Sequence, residues 1–266
     1  MQTMITLAEE LARISGAIIL RYYGTGFDVS GKADGSPVTI ADREAEAAMR
    51  RAIQSAFPAH GILGEEYGNE RLDATYVWTL DPIDGTKNFV AGSFLFSTLI
   101  GLLRDGVPVM GALHHPLTGH LLIGTPEETR LNGRRVQMRP CDRIEDALML
   151  SSSYTTPARS SYGPAFEVLV DRARLYRTWG DGHGYFLLAS GGADLMLDPI
   201  MAAWDLAPLI PIVQGAGGRI TAWDGSPAWP DTATVLEHKA SAVAATPALH
   251  AAVLAVLNAD QADSKE

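Results

Sequence analysis

The most informative stretch of the chain is Asp81-Pro82-Ile83-Asp84-Gly85-Thr86, which directly follows the apolar, strand-like run 76–80. Pro82 fixes one φ angle and has no amide hydrogen to donate, and Gly85 accepts backbone conformations that other residues avoid. Two carboxylates three residues apart, at a sharp turn, can converge on one point. The pattern therefore predicts a strand that ends in a tight acidic turn.

Further acids stand at the ends of other predicted elements. Glu65 and Glu66 close the apolar segment 61–64, Asp205 opens a later helix, and Asp42 lies in the first turn of an earlier one. Each of these acids alone is typical of a turn or of a helix start. Four carboxylates with no matching Lys or Arg nearby would repel one another unless cations lay between them. Together they predict a site for hard cations.

The composition is that of a folded chain: 266 residues, 47% hydrophobic and 20% charged. The net charge of −10 and the lack of a Lys/Arg-rich block disfavour nucleic-acid binding. The single cysteine, Cys141, excludes an intramolecular disulfide. Every apolar run is interrupted before the roughly 18 residues that a membrane span needs, and the N-terminus lacks a signal-peptide pattern. We expect a cytoplasmic protein with no membrane partner.

Periodicity predicts an α/β chain. Apolar residues recur at helical spacing at Leu7, Leu11, Ile14 and Ile18. Thr39 resembles a helix cap with an acid three residues on, and a helix is predicted over 43–57. Asp105-Gly106 between two apolar runs predicts a β-hairpin. We divide the chain into subdomains 1–140 and 141–266.

The acidic stretch resembles the signature of the inositol monophosphatase superfamily. Segments 32–42, 64–66 and 204–205 match the other segments of that family, in the family order, so that the resemblance spans nearly the whole chain. It implies a layered α-β-α-β-α sandwich with the site between its halves. It also implies a Mg²⁺-dependent phosphomonoesterase, commonly a homodimer.

The same resemblance assigns roles to single residues. The implied ligands of two to three Mg²⁺ ions are Glu65, Asp81, the carbonyl of Ile83, Asp84 and Asp205. Asp81 would bridge two ions, and Asp42 would lie one layer behind Glu65. Glu65 and the Thr86 hydroxyl would activate a water, with the Gly85 and Thr86 amides facing the phosphate. Attack by this water would be direct, without a covalent phosphoenzyme.

The segment 177–185 bears on the substrate. It is similar to the histidinol-phosphate phosphatase branch, because Asp181 stands where inositol-type enzymes carry a small hydroxyl or apolar residue. Asp198, seven residues before Asp205, occupies the position from which the family reads the non-phosphate end of its substrate. We predict that Asp181, Asp198 and Arg177 contact histidinol phosphate.

Three alternatives stay open. Inositol phosphate or a broader range of sugar phosphates fits the same machinery, because carboxylates also bind hydroxyl groups. A bisphosphate phosphatase of the same fold would need extra basic residues, whereas the substrate-side segments are acidic. An inactive binding or regulatory homologue is disfavoured because every expected metal ligand is present.

Overall fold

In a computed structural model, which describes residues 1–25, 29–31, 37–237 and 239–259, the chain folds into stacked layers of helices and strands. The helices are α1 (Gln2–Tyr22), α2 (Ile40–Ala56), α3 (Thr86–Val90), α4 (Thr155–Ala158), α5 (Gly163–Arg172), α6 (Asp181–Ala189), α7 (Ala203–Gly215), α8 (Thr232–Glu237) and α9 (Pro247–Leu257). The strands are β1 (Val29–Gly31), β2 (Pro37–Thr39), β3 (Gly61–Gly64), β4 (Gly68–Glu70), β5 (Tyr76–Asp84), β6 (Ser97–Arg104), β7 (Val107–His115), β8 (His120–Gly124), β9 (Thr129–Leu131), β10 (Arg134–Val136), β11 (Leu148–Leu150), β12 (Leu175–Arg177), β13 (Leu195–Met201), β14 (Arg219–Thr221) and β15 (Ala240–Ala245).

The first half of the chain forms one large sheet in the order β10-β9-β8-β7-β6-β5-β3-β4. Neighbouring strands are antiparallel, except that β3 runs parallel to β5. Helices α1 and α2 cover one face, and their apolar sides meet alternate residues of the central strands in a buried cluster around Trp78. The hairpin predicted at Asp105-Gly106 is confirmed between β6 and β7.

The second half forms a sheet of five strands in the order β12-β11-β13-β15-β14. Helices α5 and α9 pack on its outer face, around Phe166 and Leu249. Helices α6 and α7 pack between the two sheets, in a shared core that contains Tyr185 and Leu206. The layers therefore alternate in the expected α-β-α-β-α order, which confirms the predicted sandwich.

A row of small residues seats α7 on the large sheet. Thr79, Gly101, Gly111 and Gly124 pair directly across β5, β6, β7 and β8, and we call this row the glycine stripe. A Cβ atom at Gly111 would lie 1.8 Å from the Pro208 carbonyl oxygen of α7. The helix backbone thus lies directly on the sheet, which fixes the position of its first turn relative to the end of β5.

Other predictions meet the structure in different ways. The helix predicted over 43–57 begins earlier, at Ile40, because the Thr39 side chain caps it through the amides of Ala41 and Asp42. The division at residue 140 stays a prediction, since α7 packs on strands of both sheets.

Part of the matching segment 32–42, namely 32–36, lies outside the described residues. Among those described, no helix is long and apolar enough to cross a membrane.

Candidate active site

A β-bulge brings the two signature acids to one side of β5. Asp81 pairs with Leu99 on β6, whereas Asp84 pairs with Ser97. Three steps along β5 therefore match two steps along β6. In a regular strand, residues three apart point to opposite faces, and one extra residue restores them to the same face. Pro82 suits the bulge because it has no amide hydrogen to leave unpaired.

The third acid of the cluster comes from the first turn of α7. Asp205 accepts a hydrogen bond from the amide of Ala202 at 3.0 Å, which holds its side chain at the helix start. One carboxylate oxygen each of Asp81, Asp84 and Asp205 lies within 4.8 Å of the others. The structure therefore brings together three acids that the sequence separates by up to 124 residues, since 205 − 81 = 124.

Glu65 lies at the same edge of the sheet. Because β3 and β5 are parallel, the residues that follow their carboxyl ends are neighbours. The Glu65 amide donates to the Leu80 carbonyl at 3.1 Å, one residue before Asp81. The predicted proximity of Glu65 to the signature acids follows from this pairing.

Burial and mutual repulsion raise the pKa values of the acids. Burial raises the pKa of Asp205 to about 7, and the charge of Glu65 adds to the shift. Burial and the charge of Glu65 raise the pKa of Asp81. Burial also raises the pKa of Asp42 to about 7, against the lowering effect of the Thr39 hydrogen bonds and with smaller contributions from Glu66 and Glu65. Oδ1 of Asp81 is buried without a hydrogen-bond partner among the described residues. An oxygen-lined cluster with an orphaned carboxylate oxygen fits a bound divalent cation.

The turn after β5 presents polar groups beside this cluster. Gly85 adopts a left-handed conformation with φ +81° and precedes the short helix α3. The Thr86 hydroxyl donates to the carbonyl of the buried Ile83 at 3.0 Å. Both of these predicted site groups therefore lie next to Asp84.

Helix α6 begins against the acid cluster. The Gly182 amide donates to the Asp84 carboxylate, and the Ser97 hydroxyl donates to the same oxygen at 3.2 Å. A Cβ atom at Gly182 would lie 2.6 Å from that Asp84 oxygen, so only glycine permits this approach. Asp181, the residue before it, is thereby held at the border of the cluster.

Comparison with known proteins fits this geometry. The model of the inositol monophosphatase family matches residues 1–262. The chain belongs to the inositol monophosphatase family. It is accordingly a phosphatase of this family, as the resemblance implied.

Three relatives illustrate the similarity. The histidinol-phosphatase of Mycobacterium tuberculosis is 36% identical over 261 residues, which cover 95% of this chain and 94% of that protein. The chloroplastic bifunctional phosphatase IMPL2 of Arabidopsis thaliana is 39% identical over 221 residues, or 81% of this chain, but the match spans only 63% of its own length. The structure of an inositol monophosphatase from Zymomonas mobilis superposes with a TM-score of 0.84 at 33% identity, covering 97% of this chain and 98% of the other.

Within this inositol monophosphatase fold, two of the three predicted substrate contacts come together. The Ser152 amide donates to Asp198 at 3.1 Å, and the Ser152 hydroxyl accepts from the Asp181 amide at 2.7 Å. Burial raises the pKa of Asp198 to about 6. Arg177 is exposed and donates to the Tyr176 carbonyl, and in the described parts of the chain no hydrogen bond or ion pair joins it to these acids.

Sequence reasoning missed Glu46, which holds the turn that carries Glu65. Glu46 is fully buried and accepts from the amides of Glu66 at 2.7 Å and Tyr67 at 3.2 Å. Arg50, one helical turn further on, donates to it at 2.8 Å. An acid and a base at i and i+4 within the apolar side of α2 were the available signal, because buried charges need partners.

Proposed function

We propose that this protein is a Mg²⁺-dependent phosphomonoesterase that hydrolyses histidinol phosphate to histidinol and phosphate, a reaction of histidine biosynthesis. The observation that carries the hydrolytic part is the unpartnered, buried Oδ1 of Asp81 beside the carboxylates of Asp84 and Asp205. The choice of substrate is supported by Asp181 and Asp198, which Ser152 holds together.

The donor set suits Mg²⁺, since it consists of carboxylate and carbonyl oxygens. Glu65, Asp81 and the Ile83 carbonyl would hold one ion. Asp81, Asp84 and Asp205 would hold a second, and Glu65 would also support a weaker third, with Asp42 one layer behind it. When bound, such ions neutralise phosphoryl oxygens and make a water acidic enough to attack at neutral pH.

The protein's own groups orient the reactants. The Thr86 hydroxyl gives its hydrogen to the Ile83 carbonyl, so its lone pairs are free to accept a hydrogen bond from the attacking water. Glu65 takes the proton of that water. The amides of Gly85 and Thr86 donate to the phosphoryl oxygens at the start of α3. The water oxygen forms a bond to phosphorus as the ester oxygen leaves with the bonding electron pair and takes a proton from solvent water to become the alcohol. No covalent phosphoenzyme is formed.

Two carboxylates match the substrate's amine and imidazole. Asp181 pairs with the ammonium group, and Asp198, which the Ser152 amide holds, pairs with the imidazole. The Mycobacterium tuberculosis relative, a histidinol-phosphatase, supports histidinol phosphate as the substrate. The second candidate is inositol phosphate, which the Zymomonas mobilis relative favours, because the same two carboxylates can accept hydrogen bonds from hydroxyl groups.

Phosphate release from a panel of esters tests the proposal. The panel comprises histidinol phosphate, inositol 1-phosphate, fructose bisphosphate, phosphoadenosine phosphate and an aryl phosphate, each with and without Mg²⁺. We expect Mg²⁺-dependent release, fastest from histidinol phosphate. No release from any ester would sink the phosphatase assignment and favour a binding role, and faster turnover of inositol phosphate would sink the histidinol assignment.

Quaternary state and location complete the proposal. We propose a cytoplasmic homodimer, as the family resemblance implies. Light scattering coupled to size-exclusion chromatography measures the mass directly. A mass of one chain at micromolar concentration would contradict the dimer without affecting the proposed chemistry.

A further inference from the structure

Asp181 is fixed at both its backbone and its side chain. Its φ of +52° lies in the left-handed region, which few residues other than glycine adopt. Its amide donates to the Ser152 hydroxyl at 2.7 Å, and its Oδ2 accepts from the Asn88 side-chain amide at 3.2 Å. Asn88 belongs to α3 and Ser152 follows β11, so two distant segments converge on one residue, Asn88 on its carboxylate and Ser152 on its amide.

The position of this carboxylate limits what it can bind. Its Oδ2 would lie 3.2 Å from a Cβ atom placed on Gly85, so it borders the turn proposed to receive the phosphate. The next residue, Gly182, is bonded to Asp84. A group that pairs with Asp181 must therefore lie only a few bonds from the ester oxygen of a bound phosphate.

The partner of Asp181 on α3 is a neutral amide. An Asn side chain orients a carboxylate by hydrogen bonding without forming an ion pair, whereas a Lys or Arg bonded at that position would pair with its charge. The Lys87 ammonium of the same helix acts on Asp181 through its charge, but the hydrogen bond to Oδ2 comes from Asn88. The arrangement is suited to a carboxylate that must be held immobile until a cation arrives. A hydroxyl group would gain less from it, because hydrogen bonds between two ionised groups are the stronger ones.

We propose that Asn88 is a positioning residue that holds Asp181 for an ammonium group two carbons from the ester oxygen. The chain thereby selects phosphate esters of 2-amino alcohols. This inference rests on the proposed phosphatase function and deepens it, since histidinol phosphate is one member of that class. It does not require histidinol itself to be the substrate.

A matched pair of small esters isolates the ammonium group. 2-Aminoethyl phosphate and propyl phosphate have the same chain length and differ in having NH₃⁺ or CH₃ at its end. The selectivity is the ratio of their kcat/KM values, measured for the wild type, Asn88→Ala and Asp181→Ala. Val90→Ala serves as the control, because Val90 is an exposed residue of the same helix.

We expect the wild type to prefer the amino ester, and Asn88→Ala to lower that ratio about tenfold. Val90→Ala should leave the ratio unchanged. In an Asp181→Ala background the ratio should already be lost, so that Asn88→Ala adds nothing to it. Should Asn88→Ala fail to fold, Asn88→Leu removes the same donor and keeps the same number of side-chain heavy atoms.

Two results would overturn the inference. The first is a wild-type ratio of amino-ester to alkyl-ester kcat/KM near one. The second is an Asn88 variant that slows both esters equally, or that still lowers this ratio in the Asp181→Ala background. Failure of the function itself shows differently, as no Mg²⁺-dependent release from either ester. Preference for inositol phosphate over histidinol phosphate, together with a high amino-ester ratio that Asn88→Ala lowers, would sink the named substrate and support the role of Asn88.

Discussion

The two ends of the candidate site are held in place by different means. At the acid cluster, the bulge in β5 and the seating of α7 on the glycine stripe set the positions of three carboxylates through main-chain packing. At the substrate end, Asp181 and Asp198 depend on side-chain and amide hydrogen bonds from Asn88 and Ser152. The hydrolytic centre is thus a property of the fold, whereas selection of the alcohol depends on a few side chains.

The largest expected effect lies at the acid cluster. Asp81→Asn should lower kcat on the order of 10³-fold for every ester, because it removes a charge where phosphoryl charge must be balanced. The same change should raise the melting temperature of the metal-free protein, since it relieves repulsion among the clustered carboxylates.

Asp105→Asn is the control for this change. Asp105 lies at an exposed hairpin turn with φ +49°, which asparagine tolerates. It should leave both activity and stability unchanged. Loss of activity on only one ester in Asp81→Asn would contradict a shared hydrolytic centre.

A variant in the turn that carries Glu65 should affect hydrolysis without affecting the choice of alcohol. Glu46→Ala should lower kcat about 10- to 100-fold and raise the Mg²⁺ concentration needed for half-maximal rate, because the amides of residues 66 and 67 lose their acceptor. The ratio between amino and alkyl esters should stay near its wild-type value. Glu44→Ala, which removes an exposed ion pair with Arg21 and a hydrogen bond with Tyr22, is the matched control and should have little effect. An unchanged Mg²⁺ requirement in Glu46→Ala would contradict the assigned role.

Two neighbouring glycines of the stripe make a graded comparison. Gly111→Ala should destabilise the protein by about 1–3 kcal/mol, because the new methyl group meets the Pro208 main chain. Gly101→Ala should cost less, since its nearest contact, at 2.3 Å, is the Thr79 hydroxyl, which can rotate away. Urea unfolding gives the free energies, and a Mg²⁺ titration should show weaker activation in Gly111→Ala. Equal losses at both positions would show that α7 is not seated as described.

The smallest expected effect concerns pH. Burial raises the pKa values of Asp205 and Asp42 to about 7, above their ordinary value of 3.8. Acids with raised pKa values stabilise the folded state at low pH, and this contribution is lost as the pH rises through about 7. With EDTA, the melting temperature should fall by a few degrees between pH 5 and pH 8. Added Mg²⁺ should reduce the fall, and a melting temperature that rises with pH in EDTA would contradict these shifts.

The sequence predicts the acid cluster better than it predicts the substrate end of the site. The acids at positions 81, 84 and 205 could be found because each stands at the end of an apolar element, and the layered fold followed from the family resemblance. The spacing of Glu46 and Arg50 could mark Glu46 as a buried acid, but neither its role nor that of Asn88 could be assigned, because the groups they hold lie across turns whose geometry depends on tertiary packing. Arg177 was predicted to contact the substrate because it lies in the segment 177–185. The sequence position did not indicate the direction of its side chain, which donates a hydrogen bond to the Tyr176 carbonyl.

The glycine stripe has a consequence for the evolution of this protein. No methyl group fits between Gly111 and α7, so the stripe should resist drift even under strong selection for a new phosphate ester. Positions 88, 152, 181 and 198 carry no such constraint from main-chain contact with α7, and adaptive substitutions should accumulate there first. A lineage built on this scaffold can exchange one alcohol for another while inheriting its hydrolytic machinery unchanged.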